Sequence, residues 1–278
     1  MFKRIEDKPF SHVEQYSLRS LPGVRVVRRT TLRSYNVANI AVLRYIENIL
    51  WHSTRVKSVQ IKGSTAQVPV GKILCIGRNY AEHAKEMQSA VPSLPMFFLK
   101  PSTAMIGTGE DVILPSISHD VHHEVELTVL IGKQGKNVPE SSATEHVAGY
   151  GVGLDMTLRD VQEEAKKKGL PWTLAKGFDT SAPISEFLPA QRVADPASLV
   201  LQLSVNGTTR QHSTTGEMIF SVPKLISYIS QFITLEQGDI IYTGTPHGVA
   251  QVKPGDTLEA SLSDSKGTVL ASLSVHVR

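Results

Sequence analysis

The sequence has one cysteine and no long hydrophobic run, and these two shortages exclude whole classes of protein. Cys75 is the only cysteine among 278 residues, so the chain cannot form an internal disulfide, which fits a reducing compartment. Cys75 lies in the apolar run 73–76, which predicts a buried small hydrophobic residue and not a nucleophile. No apolar run approaches the ~20 residues that a membrane-spanning helix requires. We therefore do not expect an integral membrane protein.

Acidic residues are scarce in the first part of the chain. Residues 1–65 contain twelve Lys or Arg and four Asp or Glu, a surplus of +8, whereas the whole chain carries +3 and the remainder therefore −5. Such an arginine-rich, serine-containing stretch is typical of a mitochondrial transit segment, although Glu6, Asp7 and Glu14 are unusual in one. The alternative is an ordinary basic extension of a cytoplasmic protein. Aromatic residues are not interleaved with the basic ones, so we do not expect stacking on nucleic acid.

Alternation of apolar and polar residues with a period of two predicts a mainly β fold with a few short helices. The clearest signal is a hairpin in which Asn206-Gly207 joins the strands Val200–Val205 and 208–212. Antiparallel strands are also predicted at 257–262 and 268–277. Because strands do not alternate regularly with helices, a doubly wound or TIM-type fold is not expected.

Two helices are predicted in the second half of the chain. Residues 157–160 match the capping-box pattern, which predicts a helix that starts there and continues to Lys168. Its last turn, 166–168, suits the negative end of the helix dipole, so we interpret these lysines as a helix C-terminus and not as a nucleic-acid patch. The second helix, 222–232, is amphipathic. Four of its apolar residues are expected to be buried: Leu225, Ile226, Ile229 and Phe232.

Two carboxylates lie two residues apart in the strand pattern that starts at Glu124. Glu124 and Glu126 therefore share one face of the strand, with Cβ atoms about 7 Å apart. Like charges at this distance repel, and burying both without compensation costs several kcal/mol for each. A hard divalent cation resolves the conflict by taking an oxygen from each carboxylate. The alternative is a solvated edge strand with two surface glutamates.

Four further segments carry candidate chemistry. Asp155 follows the predicted strand 150–154, a common position for a third metal ligand. His83 and Glu86 share a helix face, either as an exposed ion pair or as a general base oriented by a carboxylate. Lys176 lies in an apolar segment and is either a snorkelling surface residue or an anion clamp. The hydroxyl and backbone N–H groups of residues 243–248 suit an anion.

Seven segments together resemble the fumarylacetoacetate hydrolase superfamily, closest to its fumarylacetoacetate hydrolase domain-containing protein 1 type of acylpyruvases and oxaloacetate decarboxylases. The segments are 77–80, 98–101, 122–126, 154–155, 159–162, Lys176 and 243–248. The resemblance extends from about Val70 to the C-terminus. It implies a mixed β-sandwich roll and a homodimer. We therefore expect a basic extension at 1–65, with possible mitochondrial targeting, and a catalytic domain at 66–278.

The resemblance also implies roles for individual residues. Glu124, Glu126 and Asp155 would bind one Mg²⁺ or Mn²⁺, and His83, Glu86 and Lys176 would be catalytic. The expected substrate-binding residues are Arg78, Lys100, Arg159, Gln162 and Thr245. His83 and Glu86 would lie on a lid over the substrate.

The implied reaction is metal-dependent cleavage of the C3–C4 bond of 2,4-dioxo acids, which gives pyruvate and a carboxylate. Oxaloacetate would be decarboxylated to pyruvate, and both reactions would pass through a metal-stabilised pyruvate enolate. An alternative is an oxaloacetate enol–keto tautomerase or a related isomerase that uses the same site. Another is a non-catalytic, metal-stabilised binding module, which the presence of His83, Glu86 and Lys176 disfavours. The expected partner is a small 2-oxo or 2,4-dioxo acid, with no nucleic acid and no membrane.

Overall fold

The computed structural model describes residues 56–278. Their strands, in chain order, are β1 Ser58–Gln60, β2 Gln67–Pro69, β3 Ile73–Gly77, β4 Met96–Lys100, β5 Met105–Ile106, β6 Asp111–Val112, β7 Val121–His123, β8 Val125–Ile131, β9 Val147–Leu154, β10 Thr157–Leu158, β11 Ala182–Pro183, β12 Leu188–Pro189, β13 Val200–Val205, β14 Thr208–Thr214, β15 Ile240–Tyr242, β16 Ala250–Gln251, β17 Thr257–Ser263 and β18 Val269–Val277. Their α-helices are α1 Ala81–Glu86, α2 Arg159–Lys168, α3 Thr173–Lys176 and α4 Val222–Ser230. Short 3₁₀ helices occur at Ser102–Ala104, Glu140–His146, Ala190–Arg192, Pro196–Ser198 and Thr215–Glu217.

Two mixed sheets contain most of the strand residues. One has six strands in the order β12-β9-β8-β15-β3-β4, and the other has five in the order β14-β13-β17-β18-β6. Neighbouring strands are antiparallel except for β15 with β3 and β18 with β6, which run parallel. A small third sheet has the order β10-β7-β16, and its middle strand β7 directly precedes β8 in the sequence. The mainly β fold with few short helices is as predicted.

The alternation along β8 determines which of its side chains reach the main core. All seven of its residues are buried. Val125, Leu127, Val129 and Ile131 join a cluster that includes residues of both large sheets. Leu130 belongs instead to a second cluster, in which Ile73 and Cys75 of β3 also lie. Glu126 and Thr128 therefore point to the face opposite the main core, as the period of two requires.

The strand and hairpin predictions agree closely with the structure. Asn206 and Gly207 both have positive φ, 51° and 76°, as a two-residue hairpin turn between β13 and β14 requires. Cys75 is fully buried in β3, and burial raises the pKa of its thiol well above the usual range. The prediction that Cys75 is a buried core residue is confirmed.

The predicted capping box at the start of α2 is wrong. The helix begins at Arg159, and its N-cap is Leu158, which contributes no side-chain hydrogen bond. Thr157 lies in strand β10, where its hydroxyl donates to the carbonyl of Asp155 at 3.0 Å. Asp160 accepts instead from the hydroxyl of Ser118 and the backbone N–H of His119, and so ties the first turn to the preceding loop.

The prediction for Phe232 is also wrong. Helix α4 ends at Ser230, so Phe232 falls beyond it and is 59% exposed. Its ring packs on Tyr228 and Phe97, with centroids 5.2 and 6.4 Å away. Leu225, Ile226 and Ile229 are fully buried, as predicted.

The first strand, β1, precedes the expected boundary at residue 65. Strand β1 pairs with β2, and the backbone N–H of Lys62 donates to the carbonyl of Phe187 at 2.7 Å. Residues 56–65 are thus tied to the same body as the residues that follow. The rest of the predicted extension lies outside the described residues, so its targeting role stays a prediction. Within residues 56–278, no helix is long and apolar enough to cross a membrane.

Candidate active site

The pairing of β8 with β9 brings three acidic residues together. Val125 lies opposite Leu154, so Glu124, just before β8, lies beside Asp155, just after β9. The backbone N–H of Asp155 donates to the carbonyl of Glu124 at 2.8 Å, which fixes this corner. Oxygen atoms of Glu124, Glu126 and Asp155 all lie within 4.8 Å of one another, and the three residues are buried. The structure thus brings together the residues that the sequence predicts as metal ligands.

The neighbouring cations compensate the three carboxylates unequally: Glu124 and Asp155 have ion-pair partners within residues 56–278, and Glu126 has none. Burial, together with the neighbouring charges of Asp155 and Glu124, raises the pKa of Glu126 well above its usual range. Burial opposes ionisation of Glu124 as well, but Lys176 and Arg159 outweigh it and hold the pKa of Glu124 well below its usual range. Three clustered carboxylates offer only hard oxygen atoms, the donor set that suits Mg²⁺ or Mn²⁺. The residues present therefore fit a divalent cation.

Two cations contact the carboxylates from the side of the cavity. The ammonium of Lys176 donates to Glu124 Oε2 and to Asp155 Oδ2, both at 2.7 Å. The guanidinium of Arg159 donates to Glu124 Oε1 at 2.5 Å and to Gln162 Oε1 at 2.8 Å. Burial acts to lower the pKa of Lys176, but Asp155 and Glu124 together raise it, so this lysine is a cation.

Lys100 lies behind Asp155 and does not line the cavity. Its ammonium is 2.8 Å from Asp155 Oδ1 and also donates to the carbonyls of Met156 and Lys176 and to the hydroxyl of Ser181. The side chain is fully buried. This placement does not support the expected contact of Lys100 with substrate. We assign it instead to holding Asp155 and the backbone of Lys176 in place.

His83 and Glu86 form the predicted pair on helix α1. His83 Nδ1 and Glu86 Oε2 are 3.0 Å apart, and Glu86 Oε1 accepts from the backbone N–H of Gly248 at 3.0 Å. Although burial opposes ionisation of Glu86, its hydrogen bonds with His83 and Gly248 lower its pKa. The carboxylate of Glu86 accepts a hydrogen bond from Nδ1–H in one tautomer of His83, and in that tautomer the lone pair of Nε2 is free to accept a proton.

One cavity joins the acidic cluster to this histidine. It encloses about 420 Å³ of empty space, including its open mouth, and Glu124 and Glu126 line it. Its wall also includes the side chains of Arg78, His83, Arg159, Gln162, Lys166, Lys176 and Thr245. All of these except Lys166 are predicted site residues. Arg78 has a positive φ of 60°, an uncommon conformation for a residue other than glycine.

The loop after β15 donates backbone hydrogen bonds to two carboxyl groups of the protein itself. The backbone N–H of Gly244 donates to Glu126 Oε2 at 2.6 Å, and that of Gly248 donates to Glu86. Gly244 has a φ of 98°, and a Cβ there would lie 2.6 Å from Cβ of Asn79. A glycine is therefore required for this contact with Glu126. The sequence predicts an anion-binding loop, and the structure identifies Glu126 and Glu86 as its carboxylates.

Gln211 is a buried residue that holds the site residues in place through hydrogen bonds, and the sequence analysis missed it. Its Oε1 accepts from the backbone N–H of Val125 at 3.0 Å and is 3.0 Å from His123 Nδ1. Its Nε2 donates to Thr245 Oγ1 and to the carbonyl of Pro246, each at 2.9 Å. Gln211 lies on β14 in the five-stranded sheet, far in sequence from the residues it holds. No local sequence pattern indicates such a role.

Comparison with known proteins finds the same family that the sequence resembles. A family model described as fumarylacetoacetate (FAA) hydrolase C-terminal matches residues 72–278. The Mus musculus protein named oxaloacetate tautomerase FAHD1, mitochondrial, is 56% identical over 190 residues, which cover 68% of this chain and 86% of that protein. An Arabidopsis thaliana protein of the same name is 52% identical over 192 residues, covering 69% and 86%.

A solved structure also matches the fold. The fumarylpyruvate hydrolase from Pseudomonas aeruginosa in complex with Mn²⁺ and pyruvate has a TM-score of 0.75 and 40% identity, and the match covers 80% of this chain and 95% of that chain. Together with the match over residues 72–278, these similarities show that the chain belongs to the fumarylacetoacetate hydrolase family of enzymes.

Proposed function

We propose that this protein is a metal-dependent enzyme that interconverts the enol and keto forms of oxaloacetate. The observation that carries the proposal is the buried cluster of three carboxylates, two of which, Glu124 and Glu126, line the same cavity as His83 and Lys176. Relatives that are 52–56% identical are named oxaloacetate tautomerases, which supports this reaction over others on the same site.

Glu124, Glu126 and Asp155 are the residues that would hold the cation. When bound, Mg²⁺ or Mn²⁺ would supply Lewis-acid stabilisation of negative charge that develops on the substrate's C2 oxygen. We favour Mn²⁺ as the first ion to test, because the Pseudomonas aeruginosa fumarylpyruvate hydrolase is in complex with Mn²⁺.

The side chains of the cavity supply the proton transfer and the charge. His83, oriented by Glu86, takes the proton from C3 of the keto form through its free Nε2, and the resulting imidazolium returns a proton to the C2 oxygen to give the enol. The ammonium of Lys176 stabilises the charge that develops on that oxygen. The guanidinium of Arg159, already 2.8 Å from Gln162, would bind the C1 carboxylate together with that amide.

A second candidate is cleavage of the C3–C4 bond in an acylpyruvate or in oxaloacetate. His83 would activate a water molecule to attack the C4 carbonyl of the acylpyruvate, which would give pyruvate and a carboxylic acid. Loss of CO₂ from oxaloacetate requires no water. His83 lines the cavity and is paired with Glu86 at 3.0 Å, an arrangement that suits a base which activates water.

The experiment follows both reactions on one preparation of Mn²⁺-loaded protein. Ketonisation of enol-oxaloacetate is measured by ultraviolet absorbance, and pyruvate release from acetylpyruvate and oxaloacetate by a coupled assay. We expect rapid ketonisation that His83→Asn lowers by about 10²-fold or more, with Lys85→Gln, an exposed position on the same helix, as the control. Pyruvate release without catalysed ketonisation would overturn the tautomerase proposal in favour of cleavage.

Two expectations about the whole protein are part of the proposal. We infer that residues 1–65 direct the chain to mitochondria, because close relatives are named mitochondrial and the segment is rich in arginine. A fluorescent fusion of residues 1–65 should enter mitochondria, and a diffuse cytoplasmic signal would contradict this. We also expect a homodimer. Its mass can be measured by light scattering, and a mass equal to that of one 30.4 kDa chain would contradict this expectation.

A further inference from the structure

Helix α2 presents one basic face to the cavity. Arg159, Gln162 and Lys166 are spaced at i, i+3 and i+7, so they lie on the same side of the helix, and all three line the cavity. Lys167 and Lys168 lie on other faces and do not line it. Of the three consecutive lysines, which the sequence analysis interprets only as a helix C-terminus, Lys166 is thus part of the site.

Two cations at this cavity have no carboxylate partner. Lys176, Arg159 and Lys100 each pair with Glu124 or Asp155. Among residues 56–278, Arg78 and Lys166 make no ion pair, although both line the cavity. Lys166 is instead held over the ring of Trp172, with its ammonium 5.4 Å from the ring centroid.

Lys166 and Arg78 line the same cavity, so their like charges act on each other there. Partial burial, then Arg159 and then Arg78, lower the pKa of Lys166. Positive charges that are brought together without a counter-ion raise the free energy of the empty cavity, and an anion that enters relieves the repulsion. The conformation of Arg78, with φ of 60°, is a further cost that a ligand contact at this residue would explain.

The cavity therefore has two ends with different chemistry. The buried end holds Glu124, Glu126 and Lys176, and Lys166 lies at the exposed mouth. We propose that Lys166 and Arg78 form a second carboxylate-binding subsite, which selects 2-oxo acids that carry a carboxylate at the end distant from the keto group. This inference rests on the proposed function and specifies its substrate class as dicarboxylates.

The matched ligands for a test are oxaloacetate and 2-oxobutyrate. Both have four carbons and the same 2-oxo acid group, and they differ in a carboxylate or a methyl group at C4. Dissociation constants are measured calorimetrically with Mn²⁺-loaded protein. We expect Lys166→Gln to raise the dissociation constant for oxaloacetate about tenfold and that for 2-oxobutyrate less than threefold. Lys166→Arg should restore the binding of oxaloacetate.

Lys167→Gln is the control, because it removes the same charge from the next residue of the helix, outside the cavity. The proposed subsite would be overturned if Lys166→Gln weakened the binding of both ligands equally, or if Lys167→Gln weakened oxaloacetate binding as much as Lys166→Gln does. The KM for oxaloacetate should rise with little change in kcat. If the wild-type protein binds oxaloacetate without turning it over, the proposed function fails, whereas the preference between the two ligands still tests the subsite.

Discussion

The side-chain amide of Gln211 accepts a hydrogen bond from the backbone N–H of Val125, the residue between Glu124 and Glu126. One side chain of the five-stranded sheet thus holds the strand that carries two of the three acidic groups. The same amide donates to Thr245, whose hydroxyl donates to the carbonyl of Val125 at 2.9 Å. The spacing of the carboxylates depends on this ring of contacts between the two sheets.

Gln211→Leu should loosen the acidic cluster although it touches none of the three carboxylates. The leucine leaves the Val125 N–H without its partner in a buried position, which costs about 1–3 kcal/mol. We expect the free energy of unfolding to fall by this amount and Mn²⁺ to bind more weakly, as measured by denaturation and calorimetry. Gln202→Leu, on the neighbouring strand β13, is the control, and equal metal affinity in both variants would contradict the role of Gln211.

Glu126→Gln should have opposite effects on the metal-free and metal-loaded protein. The amide is uncharged, so it removes the repulsion from Asp155 and Glu124 that raises the pKa of Glu126. The metal-free protein should therefore melt at the same or a higher temperature than the wild type. The increase in melting temperature that Mn²⁺ causes should be lost. A full Mn²⁺ response in this variant would remove Glu126 from the set of ligands.

Mn²⁺ affinity should rise with pH. A carboxylate whose pKa is raised in the folded protein retains its proton to a higher pH than it does in the unfolded chain, and a metal ion must displace that proton. Calorimetry in two buffers of different ionisation enthalpy should detect proton release, which declines as the pH rises through the raised pKa of Glu126. Affinity and proton release that do not vary between about pH 5 and 8 would contradict an unusually protonated Glu126.

Lys176→Met should separate metal binding from catalysis. The ammonium of Lys176 contacts Glu124 and Asp155, both at 2.7 Å, and its charge opposes the approach of another cation. Its loss should tighten Mn²⁺ binding several-fold and lower the ketonisation rate by about 10²-fold or more. Lys133→Met, an exposed position away from the cavity, is the control. Weaker Mn²⁺ binding would mean that Lys176 supports the fold of the cluster.

Local patterns predict the elements of this fold well, because a period of two or an Asn-Gly turn acts over a few residues. The acidic cluster could also be predicted, since Glu124-Val125-Glu126 places two carboxylates on one face of a strand. Contacts between distant segments could not be predicted from such local patterns. Gln211 supports Val125 from 86 positions along the chain, and Lys166 differs from Lys167 only in the direction of its side chain. The end of α4 at Ser230, which exposes Phe232, likewise depends on packing and not on the apolar period.

The most direct test of the account is the rate of enol-oxaloacetate ketonisation before and after removal of the metal. The protein is assayed with Mn²⁺, then after treatment with EDTA, and again after Mn²⁺ is restored. We predict that catalysis is lost with EDTA and returns with Mn²⁺, and that Glu124→Gln shows no catalysis in any of the three conditions. Catalysis that survives in EDTA with no bound metal, or full Mn²⁺-dependent activity in Glu124→Gln, would contradict the central claim that these carboxylates hold the catalytic cation.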